Sequence, residues 1–173
     1  NAMMAATLSG AERVIAVDVQ DDKLAFARQL GATDTVNASD PDAVEQVKEL
    51  TKGGVDYAVE LAGVPAALEA GYAMCRRGGT VVTAGLPRPE ATLDVPIAQL
   101  VSDNRTIKGS YMGSCVPRRD IPRFLSLYRQ GKLPVDRLRS GFVDFKGLNA
   151  GFDRLAAGDA VRQVLRPHGT TKV

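Results

Sequence analysis

The stretch Arg13-Val14-Ile15-Ala16-Val17-Asp18 decides the fold. Four apolar residues in succession, three of them β-branched, describe a strand covered on both faces, as in a parallel sheet. The run ends on a carboxylate. Asp21 and Asp22 then open a helical pattern, where the positive end of the helix dipole favours them. An acidic side chain closing a strand ahead of a helix is how nucleotide-binding sheets hold a ribose. It accepts hydrogen bonds from the 2′ and 3′ hydroxyls and repels a 2′-phosphate. Asp18 equally fits a plain cap for the helix that follows. Lys23, further along, would lie one turn into that helix, within reach of the same ribose or a neighbouring phosphate, or simply in solvent.

Such a site needs an earlier strand and a Gly-x-Gly-x-x-Gly loop roughly 20 residues before the acid. Only 17 residues precede Asp18, and Met3 to Leu8 reads as the end of a helix with Gly10 as its C-cap. The chain is therefore expected to be a fragment, holding one part of a nucleotide site without the glycine-rich part. Downstream, a β-α rhythm continues. A helix is predicted over Asp21 to Leu30, closed by Gly31, and a short strand at Thr35-Val36. Asp40-Pro41 supplies an N-cap and a first helical residue for a helix with Val44, Val47 and Leu50 on one face, stopped by Gly53-Gly54. Further strands are predicted over Val55 to Leu61, Thr80 to Ala84 and Thr106 to Ser110. A helix from Pro65 to about Cys75 and a short edge strand at Ala91 to Val95 accompany them. Ile121, Phe124, Leu125 and Tyr128 form an apolar helical stripe ended by Gly131; Leu148, Phe152 and Leu155 repeat it, ended by Gly158. Strands alternating with helices predict an α/β, Rossmann-like doubly wound parallel sheet, incomplete because its first strand and glycine-rich loop are missing. This domain is expected to occupy residues 1–166, with 167–173 a flexible tail.

The 173 residues are enough for one ordinary domain with a real core. Twenty-two basic and 20 acidic residues leave a net charge of +2, which argues against a nucleic-acid or membrane surface. No apolar run approaches the roughly 18 residues of a membrane span. Met3 to Leu8 lacks the basic and long apolar segments of a signal peptide. A cytoplasmic location is expected, with Cys75 and Cys115 as free thiols.

Ligands of open α/β sheets bind beyond the strand C-termini. Here these are Asp18, Glu60 to Gly63, Ala84 to Leu86 and Ser110 to Met112. Small residues recur there and let a flat ring approach the backbone, although they are also ordinary packing in βα turns. Neither cysteine has a partner at zinc-ligand spacing, and no Gly-x-Ser-x-Gly elbow occurs. His168 stands alone in the tail, and Tyr111 has no lysine or serine at a spacing that completes a catalytic set. No catalytic residue and no metal ligand is assigned.

Over residues 5–166 the chain resembles the coenzyme-binding half of the zinc-type, medium-chain alcohol dehydrogenases. The motifs that carry the resemblance are Gly10 to Asp18, Asp22 to Asp34, Gly53 to Glu60, Arg105 to Ser110 and Leu148 to Leu155. The run Gly109 to Pro122 is most similar to the branch that includes formaldehyde-dehydrogenase-type members. The resemblance implies that Asp18 holds the adenosine ribose and selects NAD over NADP, with Lys23 on the same ribose. Ala62, Ala84, Gly85 and Leu86 would line the nicotinamide, and backbone groups of Ser110, Tyr111 and Met112 would lie near its carboxamide. Arg162 would reach the pyrophosphate. Ala91 to Val95 would be an edge used in family dimers, so a homo-oligomer is expected.

The family's zinc ligands lie in an N-terminal domain outside this sequence. The implied activity, hydride transfer between a small alcohol or aldehyde and nicotinamide, would therefore belong to a longer chain. For these residues alone, weak or absent NAD binding is expected, because the backbone N–H groups of the glycine loop are not among them. Two other readings stay open. One is an S-adenosylmethionine-dependent methyltransferase-like domain, which also places an acid after its second strand but needs an antiparallel hairpin near Thr106 to Ser110. The other is a non-catalytic remnant. Without a first strand, Arg13 to Val17 and Val55 to Leu61 would each keep an unpaired edge. Closure is expected by a changed strand order, by insertion of the N-terminal segment or, preferably, by pairing with another copy.

Overall fold

The computed structural model describes residues 1–167, so His168 and nearly all of the expected tail lie outside it. Two compact units are present, Ala2–Ile121 and one that begins at Pro122. No change of composition announces their border, and the span 1–166 expected of one nucleotide-binding domain comprises both.

The larger unit contains α1 (Ala2–Leu8), β1 (Ile15–Asp18), α2 (Asp21–Gln29), β2 (Asp34–Asn37), α3 (Ala43–Thr51) and β3 (Val55–Glu60). It continues with α4 (Pro65–Met74), β4 (Cys75–Thr83), α5 (Ile97–Ser102) and β5 (Thr106–Gly109). Every strand pair is parallel: β1 with β2, β3 with β4, and β4 with β5. This is the α/β class that the rhythm of the sequence predicts. The parallel β4–β5 pair removes the methyltransferase-like alternative, which requires an antiparallel hairpin there.

Among the described residues no ladder joins β1 to β3, so both keep the unpaired edge that the sequence implies. Of the three expected closures, neither a changed strand order nor an inserted N-terminal segment occurs. Residues Ala2–Leu8 stay helical, with Met4 buried. The break is spanned by helices. Val36 of β2, Ala43 and Val47 of α3 and Met74 of α4 form one buried cluster, against which Ile15 of β1 and Val55 of β3 both pack. A second cluster of Tyr72, Cys75 and Val81 lies under Leu68, Val95, Leu100 and Ile107. Burial of this apolar area, at about 25 cal/mol per Å², fixes the strands where hydrogen bonds do not.

Several boundaries differ from expectation. α3 starts at Ala43 rather than at Pro41, because the residues before it close turns: Asp40 N–H donates to Asn37 O and Ala43 N–H to Asp40 O, each at 3.1 Å. β4 begins at Cys75, well before Thr80. Gly78, at φ +72°, sits in an irregularity between the Val55–Cys75 and Tyr57–Thr80 partners, so the glycines bend this strand without ending it. Ala91 to Val95 forms no strand, since it has no ladder to a neighbour among the described residues. α5 is too short for a helical period to register in the sequence. The two-sided cover expected of Arg13 to Val17 is missing, and β3 is open on one face as well. Val17 is 39% exposed, and Tyr57 and Val59, on the β3 face opposite the α4-facing Ala58, are 72% and 55% exposed.

The helix α6 (Pro117–Arg129) crosses the border between the units. In the smaller unit β6 (Arg139–Val143), α7 (Leu148–Ala157) and β7 (Arg162–Leu165) follow, and β6 and β7 pair in parallel. Gly131 and Gly158, at φ +71° and +83°, stand just past the two helices as predicted. The strands β6 and β7 were not foreseeable: Arg139-Ser140-Gly141 and Arg162-Gln163 break the apolar patterns that mark a strand. The predicted α6 stripe is left largely open, with Ile121 51% and Phe124 46% exposed.

Candidate functional site

Asp18, Glu60, Thr83 and Gly109 are the last residues of β1, β3, β4 and β5. Glu60, Thr83 and Gly109 are in register across their sheet, so one rim carries all three and the turns that follow them. Asp18 is in register with Asn37 of β2.

Asp18 is half-buried, and its Oδ1 accepts the Gln20 N–H at 3.0 Å. That bond closes the β1–α2 turn. It does not cap α2, whose N-cap residue Gln20 makes no side-chain cap, so the plain capping role is not realised. Oδ2 has no protein partner among the described residues. Lys23 is the third residue of α2, partly buried, and in no ion pair among the described residues. Asn37 Nδ2 donates to Asp21 Oδ1 at 2.7 Å and ties the end of β2 to the start of α2, steadying both.

The second rim is built around Glu60, which the sequence marks only as the start of the strand terminus Glu60 to Gly63, with no role of its own. Glu60 is buried, 6% exposed. Its Oε1 accepts the Gly63 N–H at 2.6 Å, and its Oε2 accepts the Thr83 hydroxyl at 2.7 Å. The Glu60 backbone carbonyl accepts Ala84 N–H at 3.0 Å and Gly85 N–H at 3.4 Å. The turn after β3 and the turn after β4 are thereby pressed together. A Cβ on Gly85 would collide with the Gly63 backbone, and one on Gly63 would lie 3.1 Å from Leu86 O. Ala62, Ala84, Gly85 and Leu86 are thus brought side by side, with Leu86 84% exposed. A small recess of about 80 Å³ opens beside them, lined by Glu60, Gly63, Val64, Leu68, Thr83 and Pro87 among others.

Ser110 N–H donates to Thr83 O at 2.9 Å and continues the same rim. Tyr111 and Met112 follow in a 3-10 turn, Tyr111–Ser114, where Met112 has φ 48° and both side chains are exposed. Arg162 lies on β7 of the smaller unit, exposed, with Nη1 donating to Val161 O at 3.1 Å. Neither cysteine is arranged as a nucleophile. Desolvation holds both thiols above their ordinary pKa, and at Cys115 the Asp120 carboxylate adds to the rise. Among the described residues no three His, Cys, Asp or Glu side chains converge as metal ligands. No described helix is long and apolar enough to cross a membrane. What the geometry offers is recognition: an acid on one rim, and on the other an apolar wall of small residues beside the exposed Leu86 side chain. In the sequence Glu60 is a charged residue ending an apolar strand, three positions before a glycine, a pattern that does not tell burial from solvation.

Parallel strands ending in such features define the class of α/β nucleotide-binding domains. The sequence profile of the family described as "Zinc-binding dehydrogenase" matches residues 1–130. The chain is 34% identical, over 95% of its length, to "Probable S-(hydroxymethyl)glutathione dehydrogenase 1" of Schizosaccharomyces pombe, and covers 44% of that protein. Among solved structures, benzyl alcohol dehydrogenase from Acinetobacter calcoaceticus aligns with a TM-score of 0.91 at 34% identity, over 95% of this chain and 45% of that one. A zinc-binding dehydrogenase from Sinorhizobium meliloti bound to NADP gives 0.85 at 28% identity, over 95% and 48%. This chain belongs to the zinc-type alcohol dehydrogenase family. It spans less than half the length of these relatives.

Proposed function

We propose that this chain is the NAD-binding portion of a zinc-dependent alcohol or aldehyde dehydrogenase. In the whole protein, hydride would pass between a small alcohol or aldehyde and nicotinamide. The observation that carries this reading is Asp18: a half-buried carboxylate at the end of β1, with one oxygen fixed by Gln20 N–H and the other without a protein partner among the described residues. A carboxylate so placed accepts hydrogen bonds from two vicinal hydroxyls and repels a phosphate on either one, which favours NAD over NADP. The NADP-bound Sinorhizobium relative indicates that the family accommodates both, so the preference rests on this residue. Lys23 adds a positive charge on the same side.

NAD, when bound, supplies the hydride acceptor. Asp18 orients the ribose. Ala62, Ala84, Gly85 and Leu86 give an apolar wall that shields one face of a nicotinamide ring, and main-chain groups of Ser110, Tyr111 and Met112 meet its carboxamide. For Arg162 the pyrophosphate role rests on the family resemblance alone. The described residues hold no converging ligand set that fits zinc, so no step is assigned to zinc on this chain. The 173 residues contain no Gly-x-Gly-x-x-Gly loop. Taken alone they are proposed to bind NAD feebly, to lack catalysis and to associate as a homo-oligomer.

Fluorescence titration with NADH and NADPH tests the ribose role in the natural polypeptide that carries this chain. Asp18→Ala is expected to weaken NADH roughly tenfold, the value of one charge-assisted hydrogen bond, and NADPH less. Equal losses for both cofactors would refute it.

A further inference from the structure

We infer that Glu60 is a positioning residue, which sets the nicotinamide side of the site by clamping the turn after β3 to the turn after β4; the inference rests on the nucleotide-binding reading above. A carboxylate taken out of water is costly unless donors meet it. Glu60 is 6% exposed and meets two, each on a different element: the Gly63 N–H at 2.6 Å and the Thr83 hydroxyl at 2.7 Å. Its main-chain carbonyl takes Ala84 N–H and Gly85 N–H as well. One residue therefore holds four groups distributed over both turns. Each oxygen meets a donor from the protein, and the side chain is 6% exposed. It acts through the turns.

The side chains of the turns add little to this hold. Gly63 sits at φ +71°, and Gly85 has no room for a Cβ, so neither contributes a side chain to its own packing. Ala62 is exposed and Leu86 is 84% exposed. The Glu60 side chain fixes Gly63 and Thr83, and its main-chain carbonyl and the Gly63–Gly85 contact hold the rest of both turns. The effect is also confined in space. Asp18 and Lys23 belong to β1 and α2, and no ladder connects β1 to β3 among the described residues. Loosening Glu60 therefore disturbs the nicotinamide wall and leaves the adenosine end in place. Glutamine at 60 conserves the clamp: its carbonyl still accepts from Gly63 N–H, and its amide donates to a Thr83 hydroxyl turned to accept. Alanine leaves two donors unmet.

The test compares NADH with ADP-ribose, which has the adenosine end and lacks the nicotinamide, in the natural polypeptide that carries this chain. Glu60→Ala is expected to weaken NADH roughly tenfold and to leave ADP-ribose within about twofold. Glu60→Gln should restore NADH to within about threefold of wild type. Amide hydrogen exchange at Gly63 should quicken in Glu60→Ala and stay slow in Glu60→Gln. If Glu60→Ala does not fold, Thr83→Val removes one donor and should show the same NADH-selective loss on a smaller scale. Parallel losses of both ligands, or a glutamine variant as weak as alanine, would overturn the positioning role and leave the nucleotide reading standing. A wild-type polypeptide that binds neither ligand would overturn both.

Discussion

Replacing Gly85 by alanine puts the contact between the two turns to a direct test. The added Cβ would collide with the Gly63 backbone and come within 3.1 Å of the Ala62 carbonyl carbon. A flexible side chain would swing aside, but the obstacle here is main chain. Moreover, it is anchored by the 2.6 Å bond from Gly63 N–H to Glu60. Overpacking costs about 1–3 kcal/mol. Gly85→Ala is expected at the upper end, about 3 kcal/mol, because relief requires breaking that buried bond. Domain stabilities are only about 5–15 kcal/mol, so the loss is a large share of the total. At about 2–4 °C per kcal/mol for a chain of this size, the melting midpoint should fall by about 6–12 °C. Urea denaturation with an unchanged m-value would show that the native state was destabilised rather than the transition broadened. Gly109→Ala is the matched control at the end of β5, where a Cβ meets nothing within 4 Å. It should stay within about 0.5 kcal/mol of wild type. A Gly85→Ala variant equally close to wild type would refute the described packing of the two turns.

Met74→Ala should cost about 2–5 kcal/mol in urea denaturation, because Met74 is 6% exposed in the cluster that spans β2, α3 and α4; Met112→Ala, 73% exposed, should cost less than about 0.5 kcal/mol. The Asp120 carboxyl is held well below the usual carboxylate range, first by the Arg119 guanidinium and then by the Val116 N–H at 2.8 Å. Since its folded pKa is depressed, its support for the start of α6 is complete above about pH 4 and is lost as the pH falls towards the folded value. An NMR titration of the Asp120 carboxyl should have its midpoint below that of an ordinary aspartate, and a midpoint near 4 would contradict the geometry. Light scattering should give at least twice the chain mass of 18.4 kDa, and a stable monomer with both the β1 and β3 edges free would refute the proposed association.

The elements that were legible in the sequence are those whose pattern serves one local purpose. Asp21 and Asp22 at a helix start, Gly31 and Gly158 past helix ends, and the apolar face Val44, Val47 and Leu50 each follow from the chemistry of a single turn or face, and each recurs in the structure. The place of Asp18 at the end of β1 was legible for the same reason. Where tertiary pairing decides, the pattern fails. Gly78-Gly79 reads as a strand breaker, yet β4 runs through it because Val55 and Thr80 partners on either side hold the ladder. Ala91 to Val95 has strand-like residues and, among the described residues, no strand to pair with. β6 and β7 exist only because they pair with each other. Glu60 belongs to this second group. A glutamate at a strand end carries no sign of whether it will be solvated or will sit between a glycine N–H and a threonine hydroxyl from different turns.

The cluster of Val36, Ala43, Val47 and Met74 has an architectural consequence. A sheet is commonly pictured as the frame from which helices hang. In this chain the roles are reversed across the interval between β1 and β3, where interlocking helices act as a truss and keep two half-sheets at a fixed spacing. The spacing of β1 and β3 thus rests on side-chain packing from one layer of helices, and not on a ladder of main-chain bonds between them.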